Sequence, residues 1–112
     1  MSKSQTITGE DWSSDPREWL HNPHAGEMLA SEFLEAAQLT VGSVAALIGV
    51  SPDRLQSVVD GHRRMDGDLD LRLGRYFGMS EGFFLRLQDS YELLEAKRAL
   101  NGSLDRIVPR AA

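Results

Sequence analysis

Apolar residues recur at helical spacing in five stretches of this chain, and glycine, proline or a capping residue separates each stretch from the next. The first stretch covers residues 25–37, where Leu29, Phe33 and Ala36 (or Ala37) recur at helical spacing, with Met28 and Leu34 widening the stripe. The second and third lie within residues 40–61, the fourth covers residues 67–77 and the last covers residues 81–100. The pattern therefore predicts an all-α fold of five helices.

Residues 40–61 carry the most constrained part of the pattern, two short helices joined by a tight turn. Gly49 is the corner, because a turn this abrupt needs a residue that tolerates positive φ. Ser51 is placed to cap the second helix, with Pro52 at its first position. The apolar faces are formed by Val44, Ala45 and Ile48 before the corner and by Leu55, Val58 and Val59 after it. This is the layout of a helix-turn-helix, whose second helix enters a DNA major groove, although a hairpin that only packs has the same outline.

The other helix ends are also marked by residue type. We expect Thr40, Asp66 and Ser80 to cap the helices that follow them, and Gly78 and Asn101-Gly102 to end the last two helices.

The apolar stripe of the last helix exceeds what a domain of this size hides alone, which favours a homodimer that reads a palindromic site with recognition helices about 34 Å apart. The organisation predicted is an arm over residues 1–22 with a short helix at 15–21, a DNA-binding domain over 23–100 and a tail over 101–112. The tail forms a short strand or a packed extension through Leu104, Ile107 and Val108.

The formal net charge of −5 is confined to the start of the chain. Residues 1–39 hold seven acidic and two basic side chains, whereas residues 40–79 and 80–112 each hold five of either sign. Trp12 and Trp19 both lie in this acidic arm, where they either bind a basic protein partner or pack on the chain's own domain. The chain has no cysteine, no apolar run long enough to span a membrane and no signal-peptide pattern, so we expect a cytoplasmic protein that is not bound to a membrane.

The residues expected to contact DNA lie on the second helix of the corner and in the loop after it. Asp53, Arg54 and Ser57 are best placed toward base edges, while Arg63 and Arg64 are suited to phosphates. For each arginine the alternative is a solvated surface charge. The full candidate set is Ser51, Asp53, Arg54, Gln56, Ser57, His62, Arg63 and Arg64.

No pattern for catalysis or metal binding is present in the sequence. Residues 66–70 alternate acids as a calcium loop does, but Leu71 and Phe77 stand where such a loop requires glycine and glutamate. The three histidines lack metal-ligand spacing, and no nucleophile motif or phosphate-cradling loop occurs. We therefore expect a protein that is not an enzyme and that uses no cofactor.

Several short motifs together resemble the HigA-like antitoxins, the antidote components of addiction modules within the Xre-type helix-turn-helix superfamily. The resemblance implies five helices like those of the lambda repressor, a homodimer, binding of operator DNA for autorepression, and capture of a small basic HigB-like ribonuclease toxin that cuts messenger RNA. The matching residues are Asn22-Pro23-His24, Gly26-Glu27, Glu32-Phe33-Leu34, Leu39-Thr40, Ala45, Gly49-Val50-Ser51, Gly61 with Arg63-Arg64, Leu71-Arg72-Leu73, Tyr76-Phe77-Gly78, Phe83-Phe84-Leu85, Leu87-Gln88 and Tyr91.

The chain departs from that family's pattern where DNA would be contacted. Val41 stands where relatives usually carry glutamine, and Pro52 and Asp53 stand where they carry polar or basic residues. Asp53 would repel phosphate unless it accepts a hydrogen bond from a cytosine amino group. Asp70 stands where relatives prefer a small apolar residue and is expected to be exposed or paired with a nearby arginine such as Arg72 or Arg75. An alternative function therefore stays open, a neutraliser that binds protein or a stand-alone transcriptional regulator with weakened or no specific DNA binding.

Overall fold

The computed structural model describes residues 20–111, and every regular element in that range is helical. The predicted arm helix at 15–21 falls largely outside this range, as do Trp12 and Trp19. Residues 23–93 form one compact unit, while residues 20–22 and 94–111 belong to a second. The helices are α1 (α-helical over Ala25–Met28 and π-helical over Leu29–Glu35), α2 (Val41–Ile48), α3 (Pro52–Val59), α4 (Gly67–Phe77) and α5 (Phe83–Leu100), followed by a 3₁₀ turn at Ser103–Arg106.

The corner between α2 and α3 has the geometry that the sequence predicts. Gly49 adopts φ 78°, and the N–H groups of Gly49 and Val50 both donate to the Ala45 carbonyl, each at 3.0 Å. Thr40 Oγ1 caps α2 by accepting from the Ser43 N–H at 3.1 Å, and Ser51 Oγ caps α3 by accepting from the Arg54 N–H at 3.1 Å. The all-α fold with a helix-turn-helix is thus confirmed, and its corner follows from local residue choice.

The core of the 23–93 unit draws on every helix and on the loop before α4. Ala45, buried where α2 meets α3, leaves room for the two helices to cross. Phe84 is the largest fully buried side chain. The buried apolar residues are Ala25, Leu29, Leu34, Val44, Ala45, Ile48, Leu55, Val58, Met65, Leu69, Leu73 and Phe84.

The second half of α1 differs from the prediction because it is π-helical. Over Leu29–Glu35 the backbone hydrogen bonds close after five residues in place of four. This wider turn brings Leu29 and Leu34 to the same buried face and leaves Ala36 exposed. The predicted stripe is confirmed at Leu29 and Leu34 and wrong at Ala36 and Ala37, which are exposed, since the prediction assumed an α-helical period.

Gly26 sets how closely α1 approaches α3. A Cβ atom built on Gly26 would lie 1.8 Å from the Val58 carbonyl oxygen and 2.8 Å from the Val59 Cα. Both neighbours are backbone atoms, so no rotation of a side chain could relieve the overlap. Only glycine permits α3 to sit at this distance from α1.

The start of α5 overturns two predictions. Asp70 is neither exposed nor paired with an arginine: it is 2% exposed and accepts from three backbone N–H groups at the start of α5. Its Oδ2 accepts from Gly82 at 2.7 Å, and its Oδ1 accepts from Phe84 at 2.8 Å and from Leu85 at 3.1 Å. Ser80 was expected to cap this helix, but its hydroxyl instead accepts from Arg86 Nη2 at 3.3 Å. A carboxylate of α4 thus satisfies the N–H groups that a helix start leaves without partners.

The apolar stripe predicted for the last helix is only partly buried. Phe84 is enclosed and the polar Gln88 is buried beside it, but Leu93 and Leu100 are exposed. The tail forms neither a strand nor a packed extension within the described residues. It makes one 3₁₀ turn, and Leu104, Ile107 and Val108 remain in solvent, the last at 83% exposure.

Candidate DNA interface

The outer side of α3 is exposed in the unit formed by residues 23–93. Leu55 and Val58 are buried on its inner side, whereas Asp53 and Gln56 are exposed on the outer side. The serine cap and Pro52 fix the start of this helix, so its first turn stands at a defined position beside the corner. An uncovered second helix is what insertion into a major groove requires.

The structure brings most of the predicted contact residues around one shallow depression of about 340 Å³. Its lining consists of Ser51, Asp53, Arg54, Ser57, His62 and Arg63. Two candidates lie outside it. Gln56 Nε2 donates to Asp60 Oδ1 at 2.8 Å within α3, and Arg64 turns toward α5.

Arg54 is held by carboxylates of α4 and its cap. Its Nη2 lies 3.2 Å from Asp66 Oδ1 and 2.9 Å from Asp68 Oδ2, and the side chain is 24% exposed. Asp66 also caps α4 by accepting from the Leu69 N–H at 2.9 Å. The guanidinium predicted to face bases thus has two anionic partners on its own chain, which fasten α3 to the start of α4.

Arg72 extends this ion-pair group to the corner itself. Its Nε donates to Asp68 Oδ2 at 3.0 Å, and its Nη1 donates to the Ile48 carbonyl at 2.7 Å. The hydrogen bond from Arg54, reinforced by Arg72, holds the pKa of the Asp68 carboxyl below its ordinary value. Sequence reasoning missed this role of Arg72, although a cation at the carboxyl end of α2 is favoured by the helix dipole.

Arg64 anchors the loop after α3 to α5. Its Nε donates to Glu92 Oε2 at 2.8 Å and its Nη2 donates to Glu92 Oε1 at 3.3 Å, with Asp89 at 3.8 Å. The hydrogen bond to Glu92 raises the pKa of Arg64, and the same bond, with one from Gln88, lowers the pKa of Glu92.

Arg63 and His62 are exposed, and no side-chain hydrogen bond or ion pair engages them within the described part of the chain.

His24 begins α1 with a capping box that the sequence reading did not anticipate. Its Nδ1 accepts from the Glu27 N–H at 3.2 Å, while Glu27 Oε1 accepts from the His24 N–H at 3.4 Å. The available signal was a glutamate three residues after a polar residue at a proline-marked helix start. The His24 ring packs edge-on against Tyr91, with ring centres 5.8 Å apart.

Residues 20–111 contain no group of three or more histidine, cysteine, aspartate or glutamate side chains that could hold a metal ion. None of the helices described is long and apolar enough to cross a membrane.

The chain is similar to DNA-binding regulators over most of its length. It is 35% identical over 86 residues to virulence-associated protein I of Dichelobacter nodosus, covering 77% of this chain and 79% of that protein. Its fold matches PA4674 of Pseudomonas aeruginosa in complex with 18 bp of its operator DNA, with a TM-score of 0.76, 32% identity and coverage of 82% of this chain and 98% of that one. No protein-family model matches the chain.

A further solved structure carries the family name. The Pseudomonas aeruginosa antitoxin HigA, determined with the higBA promoter, has a TM-score of 0.73 and 29% identity over 82% of this chain and all of that one. PA4674 and HigA were both solved with DNA, and a relative in Escherichia coli, YbaQ, is named an HTH-type transcriptional regulator. With its helix-turn-helix corner and uncovered α3, the chain belongs to the HigA-like antitoxins of the Xre-type helix-turn-helix superfamily.

Proposed function

We propose that this protein is the antitoxin of a type II toxin–antitoxin module, which represses its own operon as a homodimer and neutralises a HigB-like toxin that cleaves messenger RNA. The observation that carries the DNA-binding part is the uncovered α3, whose first turn lines a depression with Arg63 and His62. The operator complex of PA4674, with the same fold, supports this use of the surface.

Base edges are read in this proposal by the first turn of α3. Asp53 is exposed and accepts hydrogen bonds, so it suits the exocyclic amino group of cytosine in the major groove. Ser57 follows one helical turn later and donates or accepts. Arg63 and His62 contact the neighbouring phosphates, because their side chains are exposed in the loop that leaves α3.

Arg54 acts in this proposal first as a positioning residue. Its two carboxylate partners must be given up before its guanidinium can bind a base or a phosphate. A contact of Arg54 with DNA therefore exchanges existing ion pairs for new ones, so its net gain is smaller than that of Arg63.

The test of the proposal is binding of the full chain to the DNA upstream of its own operon, titrated with salt. Neutralising several phosphates gives an affinity that falls linearly on logarithmic axes as salt rises, with a slope of about −0.9 per phosphate. A length-matched duplex of scrambled sequence is the control. Equal affinity for the two duplexes, or no binding at low salt, would reject operator recognition.

Asp68 offers a sharper test of the Arg54 assignment. Replacing Asp68 by asparagine keeps an acceptor for Arg72 but removes one of the two negative charges beside Arg54, so that Arg54 has only the ion pair with Asp66 to give up before it reaches DNA. We expect operator affinity to rise about threefold to tenfold and the salt slope to steepen by about 1. Asp105→Asn removes the same charge from the 3₁₀ turn and should leave both quantities unchanged. A rise in affinity without a steeper slope would mean that Arg54 does not reach DNA.

Toxin binding is assigned in this proposal to the acidic arm, residues 1–22, because acidic residues and two tryptophans suit a basic protein surface. Deleting residues 1–21 should weaken capture of the toxin and leave operator binding intact. The two effects are measured on the same preparation, by inhibition of mRNA cleavage and by operator binding. Loss of operator binding with toxin capture preserved would reject the assignment.

One observation favours the second candidate function, a neutraliser that binds protein with weakened DNA binding. Asp53 is exposed on the outer side of α3 with no cationic partner in the described residues. If Asp53 only repels phosphate, Asp53→Asn should strengthen binding to every duplex alike. If Asp53 accepts from a base, the same change should lower the preference for the operator over the scrambled duplex.

A further inference from the structure

A second, smaller depression opens beside the loop that follows α3 and has a volume of about 110 Å³. It is shared by three parts of the fold: the cap of α1, the loop of residues 61–64 and the middle of α5. His62 and Arg63 line both this depression and the one at the first turn of α3. A ligand in the smaller depression, which we call the loop cleft, therefore adjoins the proposed DNA surface directly.

The groups that line the loop cleft are hydrogen-bond donors or cations, and no carboxylate is among them. His24 has a defined tautomer, because its Nδ1 accepts from the Glu27 N–H and its proton then lies on Nε2 in the neutral ring. That Nε2 atom lies next to Gly61, where it would be 2.8 Å from an added Cβ. The absence of a side chain at Gly61 thus leaves the His24 Nε2–H at the cleft.

Gln88 contributes a polar group from the interior of α5. It is only 5% exposed, and one N–H of its Nε2 donates to Glu92 Oε2 at 2.8 Å. The second N–H of the same amide has no acceptor among the described residues, and Gln88 lines the cleft. Buried polar groups in proteins normally have a hydrogen-bond partner, so this N–H is suited to donate to a polar ligand in the cleft.

The carboxylates nearest the cleft are already engaged by its own residues. Glu92 accepts two hydrogen bonds from Arg64, and Asp89 lies 3.8 Å from the same guanidinium. Glu27 Oε1 lies 3.7 Å from His24 Nε2 and accepts from the His24 backbone N–H. These anions orient the donors, while Arg63 keeps a positive charge that no described side chain neutralises.

We propose that the loop cleft seats one phosphate of the operator backbone, bound by His24, His62, Arg63 and Gln88 with Tyr91 at its wall. Small volume, converging N–H donors and the shared edge with the α3 surface all suit a tetrahedral oxyanion held within a DNA strand. The inference rests on the proposed operator binding and adds to it a contact made by α1 and α5, outside the helix-turn-helix.

The experiment replaces single phosphates of the operator duplex by uncharged methylphosphonates and measures the affinity of the full chain. One position in each half-site should lose about fivefold or more in wild type, the effect of one charge-assisted hydrogen-bonded contact. The same scan is then run on Gln88→Met, which removes the side-chain amide. At that one position the methylphosphonate should cost this variant less than half as much as it costs wild type, because the partner is already missing.

Tyr76→Phe is the control, since Tyr76 lies on α4 and takes no part in the cleft. Its methylphosphonate profile should equal that of wild type. If specific operator binding persists but no phosphate couples to Gln88, the cleft assignment is overturned while the proposed function stands. If the operator is not bound at all, the proposed function itself fails.

Inorganic phosphate distinguishes a DNA phosphate from a free anion. At constant ionic strength, millimolar phosphate should leave the NMR signals of the His24 ring unchanged, whereas the operator duplex should shift them. Shifts caused by inorganic phosphate without any methylphosphonate effect would assign the cleft to a free anion and reject the proposal.

Discussion

The helices α3 and α5 begin in opposite ways. Ser51 caps α3 from three residues away, with a hydroxyl that lies at the surface. Asp70 caps α5 from 12 to 15 residues away, with a carboxylate buried in the core. The first start is a property of a short segment, whereas the second exists only once α4 and α5 have packed together.

The two helices also differ in their roles. The start of α3, the helix proposed to bind DNA, is specified locally, so the geometry of its first turn depends little on the rest of the fold. The remotely specified start belongs to the helix that closes the core through Phe84. We infer that α5 docks as a consequence of tertiary packing, and that changes at Asp70 act on the whole unit of residues 23–93.

Removing the charge of Asp70 should give the largest effect on stability. In Asp70→Asn an amide NH₂ must face at least one of the three N–H groups that the carboxylate now accepts from. We expect the free energy of unfolding to fall by about 3 kcal/mol, measured by urea denaturation, because a buried charged hydrogen-bond network is broken. Amide hydrogen exchange should accelerate at Gly82, Phe84 and Leu85.

The control for this prediction is Asp60→Asn, which changes an exposed carboxylate at the end of α3. It should shift the free energy of unfolding by no more than about 0.5 kcal/mol. Equal urea midpoints for Asp70→Asn and wild type would mean that the remote cap adds nothing to the stability of α5.

The start of α3 is specified locally, but the position of α3 depends on its close contact with Gly26 of α1. A substitution at Gly26 tests this dependence. Gly26→Ala sets a methyl group against the Val58 carbonyl oxygen, so we expect a loss of about 2 kcal/mol in the free energy of unfolding. Operator affinity should fall as well, since α3 must move away from α1. Thermal unfolding and operator binding provide the two measurements.

Gly42→Ala is the matched change within α2, where an added Cβ meets nothing within 4 Å. Alanine is the better helix former, so this variant should be up to about 1 kcal/mol more stable than wild type. Similar losses in the two variants would show that the effect at Gly26 comes from backbone freedom and not from contact with α3.

The parts of the fold that the sequence predicts are those specified within a few residues. The corner at Gly49, the caps at Thr40, Ser51 and Asp66, and the exit at Gly78 are all confirmed, because each depends on one turn of backbone. The π-helical half of α1 was missed, since apolar spacing was judged against an α-helical period. Asp70 was misjudged as exposed or paired with an arginine, although it stands in helical register with the buried Leu73 and Gly74.

The candidate DNA interface follows the same division. The sequence identifies which residues lie on and after α3, because the helix-turn-helix fixes their order. It does not reveal which of these cations are already paired, since Arg54 meets Asp66 and Asp68 only through the packing of α3 on α4, and Arg64 meets Glu92 across 28 residues. The contacts with DNA themselves remain predictions.

The two serines predicted as caps provide a smaller test. Ser51→Ala removes the acceptor of the Arg54 N–H and should lower the free energy of unfolding by about 1 kcal/mol. Ser80→Ala removes only an acceptor of the exposed Arg86 side chain, so a change within about 0.5 kcal/mol is expected. Chemical denaturation of both variants gives the comparison. A larger loss at Ser80 than at Ser51 would restore the local cap for α5 and remove the contrast between the two helices.

The smallest effect concerns Arg64 and Glu92, which join distant segments as Asp70 does but lie in solvent. Because Arg64 lowers the pKa of Glu92 in the folded protein below the ordinary value of 4.5, the pair stabilises the fold at higher pH. That stability is lost as the pH falls from about the ordinary pKa through the lowered one.

Urea midpoints of wild type and Glu92→Gln should therefore converge on acidification below about pH 4.5. Glu32→Gln is the control, since Glu32 forms no ion pair within the described residues and its difference from wild type should not close in this way. We expect the urea midpoint of Glu92→Gln to differ little from that of wild type at neutral pH, whereas the midpoint of Asp70→Asn differs strongly. This contrast would show that the contribution of a carboxylate to stability depends on its burial and not on its distance along the chain from its partner. A difference for Glu92→Gln as large as that for Asp70→Asn would refute this distinction.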